Sequence, residues 1–376
     1  MAKLFAPLCT DPKTLSGGTS SALNLRINFA CGASELTRER RGYFDAFSRL
    51  GCAQLAHSAG KSSDRTSATQ ELLLYPDSPT TMIPEDLAQS ETRTACFQID
   101  VFSKPDWKAF WSALFDYVFV FHPKFDRYFA KYGHSRVFLL PHAVSAAAYA
   151  ANIDNERSDD IAWVGRIDRE LYRTRRQLLP LLAARYKMND WQRSYPENEI
   201  CNVYHQAKVA VNIGRDDYPQ DANLRCFEAM ASGALLLTSL PTELELMGFK
   251  IGVHFMGYSS ERELFQIVDR LLADEDKRRQ ITDAARTLVM RDHTYDARAQ
   301  TILKVLESDA NGLFAPARNW NSSRVDFVYL HYHCKRGSPS IAKTLFKRLL
   351  RNSPLLALRG LPLLLRRWQH DHSKRE

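Results

Sequence analysis

The amino-acid sequence predicts an α/β protein of two domains built on mostly parallel sheets, with a basic helical segment at its C-terminal end. Short apolar runs rich in β-branched and aromatic residues alternate with helical patterns in both halves of the chain. Strands that alternate with helices lie parallel, because each crossover returns the chain to the same sheet edge. With 376 residues the chain exceeds one ordinary domain and suits two of roughly 150 residues plus an appendage. A composition of 45% hydrophobic, 11% aromatic and 25% charged residues is enough to bury real cores.

In order along the chain, residues 1–150 form the first expected domain. Strand-like runs fall at 25–30, 70–75, 95–101, 117–121 and 137–140, and helical patterns at 35–50, 107–115 and 124–132. Residues 56–68 are small and polar without periodicity and read as a loop. The Ala-, Asn-, Asp- and Ser-rich stretch 145–159 reads as a linker. The second expected domain, 151–315, repeats the alternation. It has a strand at 161–164, helices at 173–186 and 196–207, a strand at 209–213, a helix at 222–231, a strand at 234–238, and helices at 260–273 and 274–289. The third segment, 316–376, turns basic and helical from Arg336 onward, with Pro354 and Pro362 as expected breaks.

Charge narrows the function classes. The net charge is +8, but residues 335–376 hold eleven of the 51 Lys and Arg and two of the 43 acids. Residues 1–334 therefore carry 40 basic and 41 acidic side chains, so the basic character belongs to the tail and the body is no nucleic-acid binder. The seven cysteines are scattered, odd in number and never spaced C-x-x-C. Reduced thiols in a cytosolic setting are expected, rather than a disulfide framework or a structural zinc site. Residues 1–10 lack the pattern of a secretory signal, and no run of about 18 apolar residues is present to span a bilayer.

The richest chemistry lies at 221–238. Asp221 is a good helix N-cap, Gly233 a good residue after a helix end, and 234–237 an immediate buried strand. The amides of Ala222, Asn223 and Leu224, with the positive end of the helix dipole, form a place for a phosphate. Glu228 lies about 9 Å further along the axis, where a carboxylate can take both hydroxyls of a ribose whose diphosphate sits at the helix start. The plainer alternative is an amphipathic helix with an exposed glutamate. Gly165 and Arg166, after the 161–164 strand, sit where ligands bind in open parallel sheets, and Arg173, Arg175 and Arg176 open the next helix; each can meet a diphosphate or simply be solvated. Gly17 and Gly18, with Thr19 and Ser20, can let backbone approach a ligand or act as a flexible link. His122 and His142 follow strands and can serve as acid, base or sugar ligand, against the alternative of ordinary histidines. His331, His333 and Cys334 lack a carboxylate partner, so no metal site is expected there.

Taken in order, these residues resemble glycosyltransferases of the spore-maturation-protein (CgeB-like) type, related to the group 1 glycosyltransferases. The similarity covers roughly 96–306. It rests on Phe115-Asp-Tyr-Val-Phe-Val120, Tyr132-Gly133, Leu140-Pro-His142, Ile161-Ala-Trp-Val-Gly165, Ala207-Lys-Val-Ala-Val-Asn212, Leu224-Arg-Cys-Phe-Glu-Ala-Met-Ala-Ser-Gly233 and His293-Thr-Tyr295. The resemblance implies the GT-B fold, two Rossmann-like domains facing a cleft, with a nucleotide-sugar donor as substrate rather than a cofactor and held mainly by the second domain. Asn212 joins the implied donor set, and Glu228 matches the second glutamate of an E-x7-E pattern, the one that holds ribose. The first glutamate of that pattern falls at Gln220, which cannot carry its charge; Asp216, Asp217 and Asp221 are the nearby substitutes. The resemblance further implies hexosyl transfer without a metal, with retention favoured. Arg166 and the 222–224 amides would meet the diphosphate, and His142, Asp100 or His122 would address acceptor or sugar.

The tail adds a partner. Ile341, Leu345, Leu349 and Leu350 fall near one helical face beside Lys343, Lys347, Arg348 and Arg351, and 355–368 adds leucines, arginines and a tryptophan. Such a segment suits an anionic membrane surface, and equally suits packing back across the first domain. The expectation is a cytoplasmic enzyme, peripheral on the inner face of the cell membrane, acting on a glycan, a lipid-linked or another cell-surface polysaccharide acceptor. Two rivals stand beside it. One is a nucleotide-sugar epimerase or hydrolase on the same fold; the other is a catalytically silent nucleotide-binding scaffold, which Gln220 favours.

Overall fold

The computed structural model describes residues 25–55, 70–77, 83–150, 156–308, 312–335 and 337–372; the 17–20 stretch and the 56–68 loop lie outside them. The chain forms two compact units. One takes residues 17–36, 48–139 and 309–376, the other 1–16, 37–47 and 140–308.

The first unit holds a six-stranded sheet of β1 (Leu25–Phe29), β2 (Ala53–Leu55), β3 (Gln70–Tyr75), β4 (Arg93–Gln98), β5 (Tyr117–Val120) and β6 (Val137–Leu139). All neighbours are parallel, in the order β2-β1-β3-β4-β5-β6. Every side chain of β5 is buried, as expected of a parallel strand covered on both faces. Helix α1 (Glu39–Arg49) follows β1, and α2 (Pro105–Ser112) and α3 (Asp126–Ala130) flank β5. The expectation at 35–50 runs into the 3-10 turn before α1 and that at 124–132 into the turns on either side of α3, while that at 107–115 starts two residues late and runs past α2 into a turn.

In the second unit, β7 (Asp159–Ala162) starts two residues before its expected place, inside the stretch read as linker. It is followed by α4 (Arg173–Arg185), α5 (Glu197–His205), β8 (Ala207–Asn212), α6 (Leu224–Ala231), β9 (Leu235–Ser239), β10 (Met256–Tyr258), α7 (Glu261–Ala273), α8 (Glu275–Asp292) and α9 (Tyr295–Ser308). Its four strands are parallel in the order β10-β9-β8-β7. Ala162, Ala210 and Leu236 pack on one side with α5, α6 and α8. Ile161, Val209, Val211, Leu235 and Leu237 pack on the other with α4 and α7, so the sheet is sandwiched between two apolar layers.

Residues 37–47 count with this second unit. Tyr43 of α1 is fully buried and meets the Tyr295 ring edge-on at 5.2 Å. Gly42 makes the approach possible: a Cβ there would stand 2.2 Å from the Tyr295 ring.

Three helices close the first unit: α10 (Ser322–Lys335), α11 (Pro339–Asn352) and α12 (Pro354–His372). Val328, Tyr329, Leu330 and Tyr332 of α10, and Ala342, Leu345 and Leu349 of α11, share one apolar core with Ala109, Trp111, Leu114, Val118 and Val120. The helical tail therefore begins before Arg336. Of the face expected on α11, Leu345 and Leu349 are core residues, while Leu350 is exposed. Pro362, expected as a break, does not interrupt α12; it lies on the exposed side of the helix. Asp116 fastens the tail, its Oδ2 accepting from the amide and hydroxyl of Thr94 at 2.8 and 2.9 Å and its Oδ1 from the amides of Phe314 and Ala315.

Candidate functional site

The second unit gathers most of the residues that the sequence singles out. β8 ends at Asn212, a loop crosses the strand ends, α6 starts at Leu224, and Gly233 at φ 72° turns the chain into β9. The loop folds tightly on itself: a Cβ on Gly214 would stand 2.4 Å from the Pro219 carbonyl oxygen. The helix starts two residues later than the N-cap expected at Asp221. Asn223 is the cap, its side-chain oxygen accepting from the Arg225 amide at 3.2 Å while its Nδ2 donates to Asn212 Oδ1 at 3.1 Å. Asn212 in turn donates to Thr238 Oγ1 at 2.9 Å, so its carboxamide braces α6 against β8 and β9. The first turn therefore comprises Leu224 to Cys226 rather than 222–224, with Ala222 and Asn223 buried in the lead-in; the Asn223 side chain takes the Arg225 amide and the Asn223 carbonyl takes the Cys226 amide at 3.0 Å.

Glu228 is 6% exposed, one and a bit turns into α6. Its Oε1 faces Arg38 Nη2 at 3.4 Å, and its Oε2 has no hydrogen-bond partner among the described residues. Burial raises the pKa of this carboxyl, Arg38 and Arg225 pull it back, and Glu39 and Glu197 push it up again. A buried carboxylate with one distant partner and one unsatisfied oxygen is costly on its own, and it can accept from donors such as hydroxyls.

Arg38 and Glu39 come from the start of α1, which Gly42 and Tyr43 hold against Tyr295. Glu39 Oε1 lies 3.6 Å from His142 Nδ1. Burial would raise the Glu39 carboxyl, yet the contact with His142, its own amide and Arg38 outweigh burial and hold it at about 2. His142 is buried, with its ring 6.4 Å from that of Phe227 on α6. Arg38, Glu39, His142 and Glu228 thus lie next to one another inside this unit.

A second carboxylate group lies at the loop before α6. Glu243 is buried; its amide donates to the Gln220 carbonyl at 2.9 Å, and its Oε1 accepts from the Tyr218 hydroxyl. Asp221 is buried too, with a carboxylate oxygen within 4.8 Å of one on Glu243. Asp216 instead caps α4 through the amides of Arg173 and Thr174 at 2.7 and 3.3 Å, and Asp217 forks with Arg215 at 2.8 and 2.9 Å. Of the three acids offered as substitutes for a glutamate at 220, Asp221 alone is buried.

The arginines divide by partner. Arg166 is exposed and forks onto Asp168 at 3.0 and 3.2 Å, and Gly165 beside it is packed under Trp163, whose ring a Cβ would meet at 2.7 Å. Arg175 is buried and donates to the carbonyls of Ile213 and Arg166 at 2.9 and 3.1 Å, tying the ends of β8 and β7; burial first, and the charge of Arg225 second, lower it to about 10. Arg176 bonds the carbonyls of Ile167 and Arg169. Arg225, half-buried in the first turn of α6, lies in the quoted 224–233 stretch, yet the sequence assigns it no role; its position becomes informative only once the cap is fixed at Asn223.

His122 and Asp100 belong to the first unit. His122 is buried edge-on to Phe102 at 4.8 Å, and Asp100 is exposed in the turn after β4. In the tail, His331 packs on the ring of Phe110, and His333 Nδ1 accepts from the Ser338 amide at 3.2 Å.

Comparison with known proteins matches residues 162–304, from the end of β7 into α9, to a family described as glycosyl transferase-like. No protein with a curated description matches by sequence. A glycosyltransferase structure from Rickettsia africae ESF-5 superposes with a TM-score of 0.52 at 11% identity, covering 77% of this chain and 99% of the other. Sucrose-phosphate synthase from Thermosynechococcus elongatus gives 0.51 at 14% identity, covering 76% and 98%. The Anabaena protein Alr3699/HepE, solved with UDP-glucose, gives 0.51 at 12% identity, covering 75% and 99%. At such identities the likeness concerns the fold, and the fold is GT-B.

Proposed function

We propose that this GT-B chain is a glycosyltransferase that moves a hexosyl group from a nucleotide-sugar to a glycan, a lipid-linked or another cell-surface polysaccharide acceptor. The observation that carries the reading is Glu228: a buried carboxylate with an unsatisfied oxygen, set one helical turn beyond a helix start, with a match to a glycosyl transferase-like family around it. The ribose diol donates to Glu228, and the diphosphate lies at the positive end of α6, by Leu224 and the Arg225 side chain. In the transfer, the bond from the anomeric carbon to the diphosphate oxygen breaks as an acceptor hydroxyl bonds that carbon on the face from which the diphosphate leaves, which keeps the configuration. The acceptor proton leaves to a base, and the charge on the departing diphosphate is met by the helix start and Arg225. Asp221 and Glu243 supply the carboxyl group near the sugar that Gln220 cannot, and His142, Asp100 and His122 are the groups assigned to acceptor and sugar. Retention of configuration and independence from metal belong to this reading, as does the kinship to CgeB-like enzymes.

A thermal-shift panel of UDP-, GDP-, dTDP- and CMP-sugars, with wild type and Glu228→Ala, tests it. One nucleotide class should stabilise the wild type by about 2.7 kcal/mol at a hundredfold excess over Kd, and the variant far less. No shift with any donor would overturn the proposal. Activity should survive chelation by EDTA, and the anomeric coupling in the product NMR spectrum should match the donor's. Gln220 keeps a second reading alive, a silent nucleotide-binding protein, which predicts a donor shift with no turnover. Donor turnover without any acceptor would instead favour the hydrolase or epimerase.

A further inference from the structure

Helix α12 is seated by its small residues. Ala357 is fully buried, and a Cβ on Gly360 would stand 2.6 Å from Leu330 of α10. The opposite face must therefore point outward, and it is not polar. Leu355, Leu358, Leu361 and Leu365 recur every three or four residues and are 76, 63, 37 and 50% exposed, with Pro362 exposed among them. Arg359 and Arg366, seven residues apart and both exposed, run along one margin of this stripe. The neighbouring α11 exposes Leu350 with Lys343, Lys347 and Arg351. Leucines aligned this way on a free surface mark a contact.

Charge decides the partner. Residues 335–376 carry eleven Lys and Arg against two acids, so a second copy docked face to face would bring two basic surfaces together. A nucleic acid would meet the arginines but gain nothing from a leucine stripe. An anionic bilayer uses both, taking leucines into the acyl boundary and arginines among its headgroups. No helix among the described residues is long and apolar enough to cross a membrane, so the contact lies along the surface.

We infer that α12 is a membrane-contact element, lying along an anionic bilayer with Leu355, Leu358, Leu361 and Leu365 inserted and Arg359 and Arg366 at headgroup level. The sequence pattern points to the 341–351 face with 355–368 added to it; the structure buries Leu345 and Leu349 of the first stretch in the core and leaves the leucines of α12 outside. As a device that brings a transfer site to a lipid-linked acceptor the inference rests on the reading above; as a surface it stands on α12 alone.

Vesicle flotation of the full chain tests it, with phosphatidylcholine vesicles set against phosphatidylcholine–phosphatidylglycerol vesicles. Wild type should prefer the anionic vesicles by at least roughly tenfold. Leu355→Ser/Leu358→Ser/Leu365→Ser and, separately, Arg359→Glu/Arg366→Glu should each lose roughly that factor. The altered side chains are exposed, so circular dichroism and the donor-induced thermal shift should stay as in wild type. Equal binding to both vesicle types, or variants that float like wild type, would overturn the inference. So would a concentration-dependent dimer that the leucine variant dissolves. Anionic vesicle binding by a protein that shows no donor shift would overturn the transferase reading and leave the membrane surface standing.

Discussion

Glu228 and Arg38 meet at 3.4 Å across 190 residues of sequence, and their pairing sets how the candidate donor site responds to pH. Because the folded-state pKa of Glu228 is raised, its contribution to the stability of the ligand-free protein is full below the ordinary carboxylate value and is lost as pH rises through the raised one. Ribose hydroxyls favour the ionised form, so donor-induced stabilisation should weaken as pH falls through that same value. Arg38→Ala removes a charge that holds the carboxyl down; the loss should then occur at higher pH than in wild type, read from thermal shifts across a pH series. Glu243→Gln should keep the donor shift but lower kcat about a hundredfold or more, with acceptor and donor saturating. Equal loss of donor binding would instead make Glu243 part of the binding loop only. Glu228 is legible in the sequence because its helix carries caps and spacing. Arg38, Glu39 and Glu243 are not, since they reach the same place from a different helix start and a separate 3-10 turn, with no local period to announce them.

Helix α6 shows how an element edge escapes a one-dimensional reading. Asp221 and Asn223 are both good caps, and the choice falls to Asn223 because Asn212, at the end of β8, holds its side chain in place. Asn223→Ala should cost about 1 kcal/mol and weaken the donor shift, since the first turn frays where the diphosphate is to lie. Gly42→Ala should cost more: the added carbon meets the rigid Tyr295 ring, α1 must withdraw, and Arg38 and Glu39 withdraw with it. Loss of both melting temperature and donor shift is the expected result. Helices α4, α6 and α7 are legible within two residues because apolar periodicity fixes them, whereas α1 begins four residues later than its pattern, α8 ends three residues later, and α9 is not among the expected helices. The three-residue strands β2 and β10 are too short to show a period. The pattern of α10 is blurred because buried residues cover most of its circumference, Asp326 and His333 among them.

At the scale of the whole chain, the two units interleave in sequence. Residues 37–47 count with the second sheet and 309–376 with the first, so neither unit is one continuous stretch. A fragment of residues 140–308 would lack Arg38, Glu39 and Tyr43 and should show no donor shift. A fragment ending at 308 would bare the apolar face that α10 and α11 cover and should aggregate on expression, as judged by its recovery in the soluble fraction. Asp116→Ala should produce a milder form of the same defect. It strands the amides of Phe314 and Ala315 at a cost of about 3 kcal/mol and should make the tail the first segment released by limited proteolysis. Fold class and layer order are legible from strand–helix alternation; interleaving is not, because it depends on which distant surfaces fit. The late position of α10 and α11 also gives the protein a clock. On the ribosome the first sheet is complete at residue 139, yet Trp111 and Leu114 have no cover until some two hundred further residues have emerged, roughly 10 to 40 seconds at ordinary elongation rates. For that interval the nascent chain presents an apolar face to solvent, and its yield should depend on chaperones that hold such surfaces until the last helices arrive.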